Sequence, residues 1–288
     1  MSLARLLRPL LAGGLPMRLA GLATPRAGAT ELRGLRYGAG ERGLLDLTLP
    51  KRALPATPLL AFFHGGAWQV GSRGHYAFLA RAFAAEGIAV ALPDYRLWPE
   101  ARWPDFVLDA AQAVAWLRSA RARAAGAPGG PLFVMGHSAG GFIAAALALD
   151  PRWLQAAGLR GGRKALSGAV LVSAPIAWQP RDEPVRSIFA AAPGGRIQAV
   201  PDATALAGTP PLLLLHGTAD TVVGAFHADR LAHAVVQAGG RARIELLAGA
   251  GHIAPMVALS APARRFGGMD DAAWRAVTHF LRDPTHQG

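Results

Sequence analysis

The stretch Leu132-Phe133-Val134-Met135-Gly136-His137-Ser138-Ala139-Gly140-Gly141 constrains the fold of this chain more than any other. It reads as a short apolar strand, a tight turn and a helix start, with Ser138 at the apex. Gly136 and Gly140 stand two residues on either side of the serine. A strand that turns straight into a helix holds its apex residue in a strained conformation, and the chain before and after it must pass very close. Only glycine leaves room for that approach. The break Pro128-Gly129-Gly130-Pro131 precedes the apolar run, and the Ala-rich stretch 139–149 follows it, which is the frame such a turn needs. The free N–H groups at the start of that helix favour negative charge near the serine hydroxyl. Outside this frame the five-residue pattern is only a glycine-rich turn.

The rest of the chain repeats the alternation of strand and helix. Segments 34–37 and 44–49 read as a strand pair, with Asp46 and Thr48 alternating with leucines. Leu59 to Phe63 is a continuous apolar run, the pattern of a central parallel strand covered on both faces. A helix is predicted over 75–86 and a buried strand over 88–92, followed by a helix opened by Pro104. Further strands are expected at 168–172, 212–215 and 243–247, with helices at 224–238 and 270–281. The fold class is therefore α/β, a mostly parallel central sheet with helices on both faces. Ligands in such sheets bind at the carboxyl ends of the strands. His64-Gly65-Gly66, Ser138, Asp220 and His252 each follow a strand at that end.

Two segments depart from the alternation. Residues 1–30 carry Arg5, Arg8, Arg18 and Arg26 and no acid, and Leu3, Leu6, Leu7, Leu10 and Leu11 have helical spacing. The apolar run 10–17 contains Gly13, Gly14 and Pro16, is short for a secretory signal and too short to cross a bilayer. The expectation is an amphipathic flap, 1–30, ahead of a catalytic domain, 31–288, with a cytoplasmic location; targeting by the basic N-terminus is the alternative. Segment 175–211 is rich in proline and irregular, as functional lids and mobile loops are. With the N-terminus it is expected to form a small cap.

Composition narrows the function classes. In 288 residues the hydrophobic fraction is 52% and the charged fraction 17%, so a large core can be buried. There is no cysteine, which removes disulfides, thiolate catalysis and cysteine metal sites. The net charge is +12, and of the 30 basic residues only Lys51 and Lys164 are lysines. The arginines are scattered rather than gathered on one face, so a specific nucleic-acid partner is not expected. Oligomeric state is not legible.

A serine hydroxyl is a poor nucleophile until a base takes its proton, and a carboxylate fixes the tautomer of a histidine base. His252 lies in a Gly-rich loop after the last strand, where such a base belongs. The other histidines have plainer readings: His137 is structural beside the serine, His64 holds loop geometry, His216 packs in the core and His75 is solvated. His227, His233 and His279 lie on helices, and His286 lies in the tail. Among the acids, Asp94 can pair with Arg96, Asp105 and Asp109 can cap a helix, and Glu245 lies inside a strand. Asp220 ends a strand and opens a loop, and is the candidate orienting acid. The negative charge of a tetrahedral intermediate needs N–H donors. Ala139, Gly65 and Gly66 are the candidates, and Trp68, in the same loop, is the candidate substrate contact.

Taken together, His64-Gly65-Gly66-Ala67-Trp68, Asp94-Tyr95-Arg96-Leu97-Trp98-Pro99-Glu100, Gly136-His137-Ser138-Ala139-Gly140-Gly141, His216-Gly217-Thr218-Ala219-Asp220 and Gly251-His252 resemble the α/β-hydrolase superfamily. Within it they are similar to the esterase and lipase group that includes hormone-sensitive-lipase-like carboxylesterases and kynurenine formamidases. The resemblance spans about 33–283 and implies a serine esterase with the triad Ser138, Asp220 and His252, acting on a small-molecule ester without metal or cofactor. Hormone-sensitive-lipase-like esterases usually carry H-G-G-G; Ala67 followed by Trp68 is closer to the H-G-G-x-W form of kynurenine formamidases and feruloyl-esterase-like proteins. Ester and formamide substrates both remain open at this point, as does a non-catalytic binding role on the same scaffold.

Overall fold

The computed structural model describes residues 24, 28–199, 206–260 and 271–283. The expected N-terminal helix, His286 and most of the proposed flap lie outside the described residues. Ten strands are described: β1 (Thr30–Arg36), β2 (Leu44–Leu49), β3 (Leu59–Phe63), β4 (Ala89–Pro93), β5 (Leu132–His137), β6 (Gly168–Val172), β7 (Ala177–Trp178), β8 (Ile197–Gln198), β9 (Leu212–Gly217) and β10 (Ala242–Leu247). Eight of them form one sheet in the order β1-β2-β4-β3-β5-β6-β9-β10. β2 pairs antiparallel with β1 and β4, and every pairing from β4 to β10 is parallel.

The helices are α1 (Ala77–Ala85), α2 (Asp105–Leu117), α3 (Ala120–Ala124), α4 (Ala139–Leu149), α5 (Pro151–Ala156), α6 (Val185–Ile188), α7 (Phe226–Gln237), α8 (Ala254–Ala258) and α9 (Ala272–Arg282). They cover both faces, which explains the unbroken apolar strands. In β3, Leu59, Ala61 and Phe63 enter a core shared with Phe106, Val107 and Val114 of α2 and Phe142 of α4. Leu60 and Phe62 point the other way, among Phe78, Leu79 and Phe83 of α1 and Val277 and Phe280 of α9. Each fully buried leucine, valine or phenylalanine among them contributes about 1.5–3 kcal/mol of transfer free energy. β5 sits at the middle of the sheet and is buried throughout, so its carboxyl end offers a rigid mount for Ser138.

The structure changes several local expectations. β1 begins at Thr30, ahead of Gly34, because Gly34 at φ 67 takes up an irregularity in the β1–β2 register between Leu32 and Leu35. Residues 151–156 form a helix that the pattern did not announce; the Asp150 carboxylate caps it by accepting from the Arg152 N–H. Segment 175–211 is less irregular than expected where it is described. It contains α6 and the antiparallel pair β7–β8, and its Ile188 and Phe189 are fully buried. Among the described residues no helix is long and apolar enough to cross a membrane.

Candidate active site

Ser138 sits between β5 and α4 with φ 53 and ψ −117, a conformation that costs a non-glycine residue about 1–3 kcal/mol. The glycines around it have no space for a side chain. A Cβ on Gly136 would meet the Gly140 carbonyl oxygen at 2.1 Å, and one on Gly140 would meet the Phe63 carbonyl oxygen at 2.1 Å. The Ser138 N–H donates to the Val172 carbonyl at 2.9 Å, which ties the turn to β6.

The structure brings Ser138, His252 and Asp220 together from three strand ends. Asp220 Oδ2 lies 2.7 Å from His252 Nδ1, and His252 Nε2 lies 3.0 Å from Ser138 Oγ. The carboxylate can only accept, so Nδ1 carries the proton and Nε2 is left to accept from the serine hydroxyl. The Asp220 Oδ1 accepts the N–H groups of Val222 and Val223, both at 2.9 Å. Burial alone would raise the Asp220 pKa; hydrogen bonds from His216, His252 and Val223 outweigh it and hold the carboxyl well below the usual range.

His216 does more than pack the core. Its Nε2–H donates to the Val223 carbonyl at 2.8 Å and lies 3.4 Å from Asp220 Oδ2, so it backs the acid loop. The HG-x-x-D spacing was the available signal: the strand ends at Gly217, and the loop after it folds back over His216.

His137 Nε2 donates to the His252 carbonyl at 3.1 Å, and the Ser173 hydroxyl donates to the same oxygen at 3.2 Å. Both hold the backbone of the candidate base. Burial pushes His137 down to about 3, so it is neutral at working pH. Ser173 was not singled out by sequence; it is fully buried at the end of β6 with φ 47.

The loop after β3 packs directly on the serine. A Cβ on Gly65 would lie 3.4 Å from Ser138 Cβ. Gly65, expected as an N–H donor to a reacting oxygen, is otherwise engaged: its N–H donates to the Tyr76 hydroxyl at 3.3 Å. The chain then turns through Gly66 at φ 128, Ala67 at φ 51 and Trp68 at φ 60. Among the described residues no acceptor takes the N–H of Gly66, Ala67 or Ala139. Ala67 therefore joins the candidate donors, and it was missed because the one-residue offset depends on these positive φ values.

The loop is fixed from behind. The His64 ring stacks on Tyr95 at 4.3 Å and donates from Nδ1 to the Gly65 carbonyl at 2.9 Å; its Nε2 accepts from Arg42 at 3.3 Å. Burial lowers the His64 pKa to about 4. Asp94 does not pair with Arg96. It accepts from the Arg73 N–H and guanidinium and from Arg42, while Arg96 grips Asp109 with Nε and Nη2 at 2.9 and 2.8 Å. Asp109 is thus an ion-pair partner rather than a cap.

Trp68, expected as a substrate contact, is instead 2% exposed and packed in an aromatic cluster with the fully buried Phe142 at 5.6 Å and Phe189 at 4.8 Å, so it holds the loop after β3 from within. Its indole Nε1 is buried and has no hydrogen-bond partner among the described residues. A cavity of about 660 Å³ lined by Tyr37, Trp116, Arg118 and Arg160 contains none of the triad residues. Among the described residues no group of three His, Asp or Glu is placed to hold a metal ion.

A mostly parallel sheet with a serine on the sharp turn after a central strand, then an acid and a histidine in that chain order, defines the α/β-hydrolase class. The profile of the alpha/beta hydrolase fold family matches residues 60–256, and the chain belongs to that family. A probable isoprenylcysteine alpha-carbonyl methylesterase of Oryza sativa subsp. japonica is 31% identical over 77% of this chain and 58% of its own. A kynurenine formamidase of Danio rerio is 30% identical over 56% of this chain and 51% of its own. The apo form of Thermogutta terrifontis esterase 2 superposes with a TM-score of 0.66 at 25% identity, covering 88% of this chain and 92% of that one. The chain spans about half the length of these two curated relatives.

Proposed function

We propose that this protein is a serine hydrolase that cleaves carboxylic esters of small to medium acyl groups through an acyl-enzyme. The observation that carries the reading is the continuous hydrogen-bonded line Asp220–His252–Ser138, with distances of 2.7 and 3.0 Å. In this mechanism His252 Nε2 takes the Ser138 proton as Oγ attacks the ester carbonyl. The N–H groups of Gly66, Ala67 and Ala139 receive the charge that develops on the carbonyl oxygen, and the α4 N-terminus adds to the field there. The tetrahedral intermediate collapses as His252 returns the proton to the leaving alcohol. Water, deprotonated by the same imidazole, then attacks the acyl-serine, and His252 returns that proton to Ser138 Oγ as the acid leaves.

Hydrolysis of N-formylkynurenine by the same residues is the second reading. It is favoured by the H-G-G-x-W form of the loop after β3 and by the similarity to a formamidase. The two are separated by comparing kcat/KM on p-nitrophenyl acetate, butyrate and octanoate with kcat/KM on N-formylkynurenine. The expected result is turnover of the short esters, falling with chain length. A large preference for the formamide would replace the first reading with the second.

A further inference from the structure

Tyr76 lies in the short turn before α1, and its hydroxyl is fully enclosed between two loops. It accepts the Gly65 N–H at 3.3 Å and stands 3.4 Å from His137 Nδ1. His137 Nε2 is committed as a donor to the His252 carbonyl at 3.1 Å, so Nδ1 carries no proton and must accept. The phenol therefore donates to His137. Burial supports these protonation states: it raises the Tyr76 pKa to about 12 and lowers that of His137 to about 3. The hydrogen bonds run in one sense, from Gly65 N–H through Tyr76 and His137 to the His252 carbonyl, with Ser173 closing on the same oxygen.

We propose that Tyr76 and His137 are positioning residues that fix the oxyanion loop and the catalytic-histidine loop relative to each other, through this run of hydrogen bonds beside Ser138. The proposal rests on the hydrolase reading. The geometry gives it a function beyond filling space. Taking up the Gly65 N–H leaves the next two N–H groups, of Gly66 and Ala67, as the loop's donors. Anchoring the His252 carbonyl sets where Nε2 meets Ser138 Oγ. Neither Tyr76 nor His137 needs to touch substrate. Their effect is on the alignment of two groups that act together only while charge develops on the reacting carbonyl.

The test uses Tyr76→Phe, His137→Gln and the double variant of the full chain, with p-nitrophenyl acetate as substrate. Tyr76→Phe keeps the ring packed 4.7 Å from Phe62 and removes only the hydroxyl. In His137→Gln the side-chain amide can still donate to the His252 carbonyl, but the acceptor for Tyr76 is lost. Each single variant is expected to lower kcat about 10- to 100-fold with KM changed less than about twofold. A merely structural role would not produce that split. The double variant is expected to be no worse than the poorer single one, because both break one relay. Wild-type kcat in a folded Tyr76→Phe, or losses that multiply in the double variant, would overturn the proposal. Should one variant not fold, the kcat–KM split in the other decides. If the wild-type chain has no turnover that Ser138→Ala abolishes, the hydrolase reading fails first and the proposal goes with it.

Discussion

His216 Nε2 stands 3.4 Å from Asp220 Oδ2, the same oxygen that holds His252 Nδ1 at 2.7 Å. One carboxylate oxygen thus serves two imidazoles, and only the second reaches the serine. Replacing the carboxylate by an amide, Asp220→Asn, removes the charge and presents a donor where Nδ1–H needs an acceptor. The expected loss is about 10³- to 10⁴-fold in kcat, by analogy with the same change in other triads. His216→Gln keeps a donor near Val223 and leaves the Asp220–His252 pair in place, so it is expected to lose far less. Steady-state kinetics of the two variants side by side check the ranking. Equal losses would mean that His216 acts on the reaction as directly as the acid does.

Acid stability follows from the buried imidazoles. Burial lowers His64 and His227 to about 4 and His137 to about 3. In the unfolded chain these groups titrate near 6.5. Between 6.5 and about 4 the unfolded state binds more protons than the folded one, so stability must fall as pH falls. Above 6.5 their contribution is full. Each group steepens the loss by roughly 1 kcal/mol per pH unit inside that window. Urea unfolding at pH 7.5, 6 and 5 is expected to show a midpoint that drops progressively. A flat midpoint down to pH 5 would contradict the buried, neutral state of all three.

The elbow tolerates no side chain at its two glycines. Gly136→Ala and Gly140→Ala would each drive a methyl group onto a backbone carbonyl oxygen at 2.1 Å. Neither the strand nor the helix can yield without breaking pairing at the sheet centre. Both variants are expected to lose several kcal/mol, about half or more of a typical domain's stability, and to melt far below wild type. Gly158→Ala is the control for an added methyl group without a clash, since among the described residues nothing lies within 4 Å of its Cβ position; its φ of 77 limits its cost to local strain of about 1 kcal/mol.

Much of this was readable in the chain because the informative features are local. The apolar run 59–63 became β3 without change, and Gly136 to Gly140 encoded a turn whose sterics admit only that spacing. Ser138, Asp220 and His252 could be chosen because each sits just past a strand. What escaped reading depends on contacts between distant residues. Arg96 can reach Asp94 or Asp109 equally well on paper; α2 carries Asp109 to it, and Arg73 and Arg42 take Asp94 instead. Nothing in the H-G-G-A-W motif says that the Gly65 N–H is already spoken for. That depends on Tyr76, eleven residues on, folding back under the loop.

Ala67 provides a test of the donor assignment. With φ 51 it occupies a region that glycine enters freely, and its N–H has no acceptor among the described residues. Ala67→Gly keeps the N–H and is expected to retain kcat within about threefold, the relief of strain offsetting the added chain entropy. Ala67→Pro removes the N–H and demands φ near −65°. It is expected to lose about 10²- to 10³-fold in kcat, as deletion of one oxyanion donor does elsewhere. Undiminished kcat in a folded Ala67→Pro variant would take Ala67 out of the donor set.

The central claim is that Ser138 is the nucleophile. Labelling with a fluorophosphonate, followed by intact mass and peptide mapping, addresses it without knowledge of the natural substrate. The expected result is one covalent adduct per chain, on Ser138, with p-nitrophenyl acetate turnover lost in step with labelling and both absent in Ser138→Ala. A folded wild-type chain that hydrolyses the ester while Ser138 stays unlabelled, or a Ser138→Ala variant that keeps full activity, would contradict it.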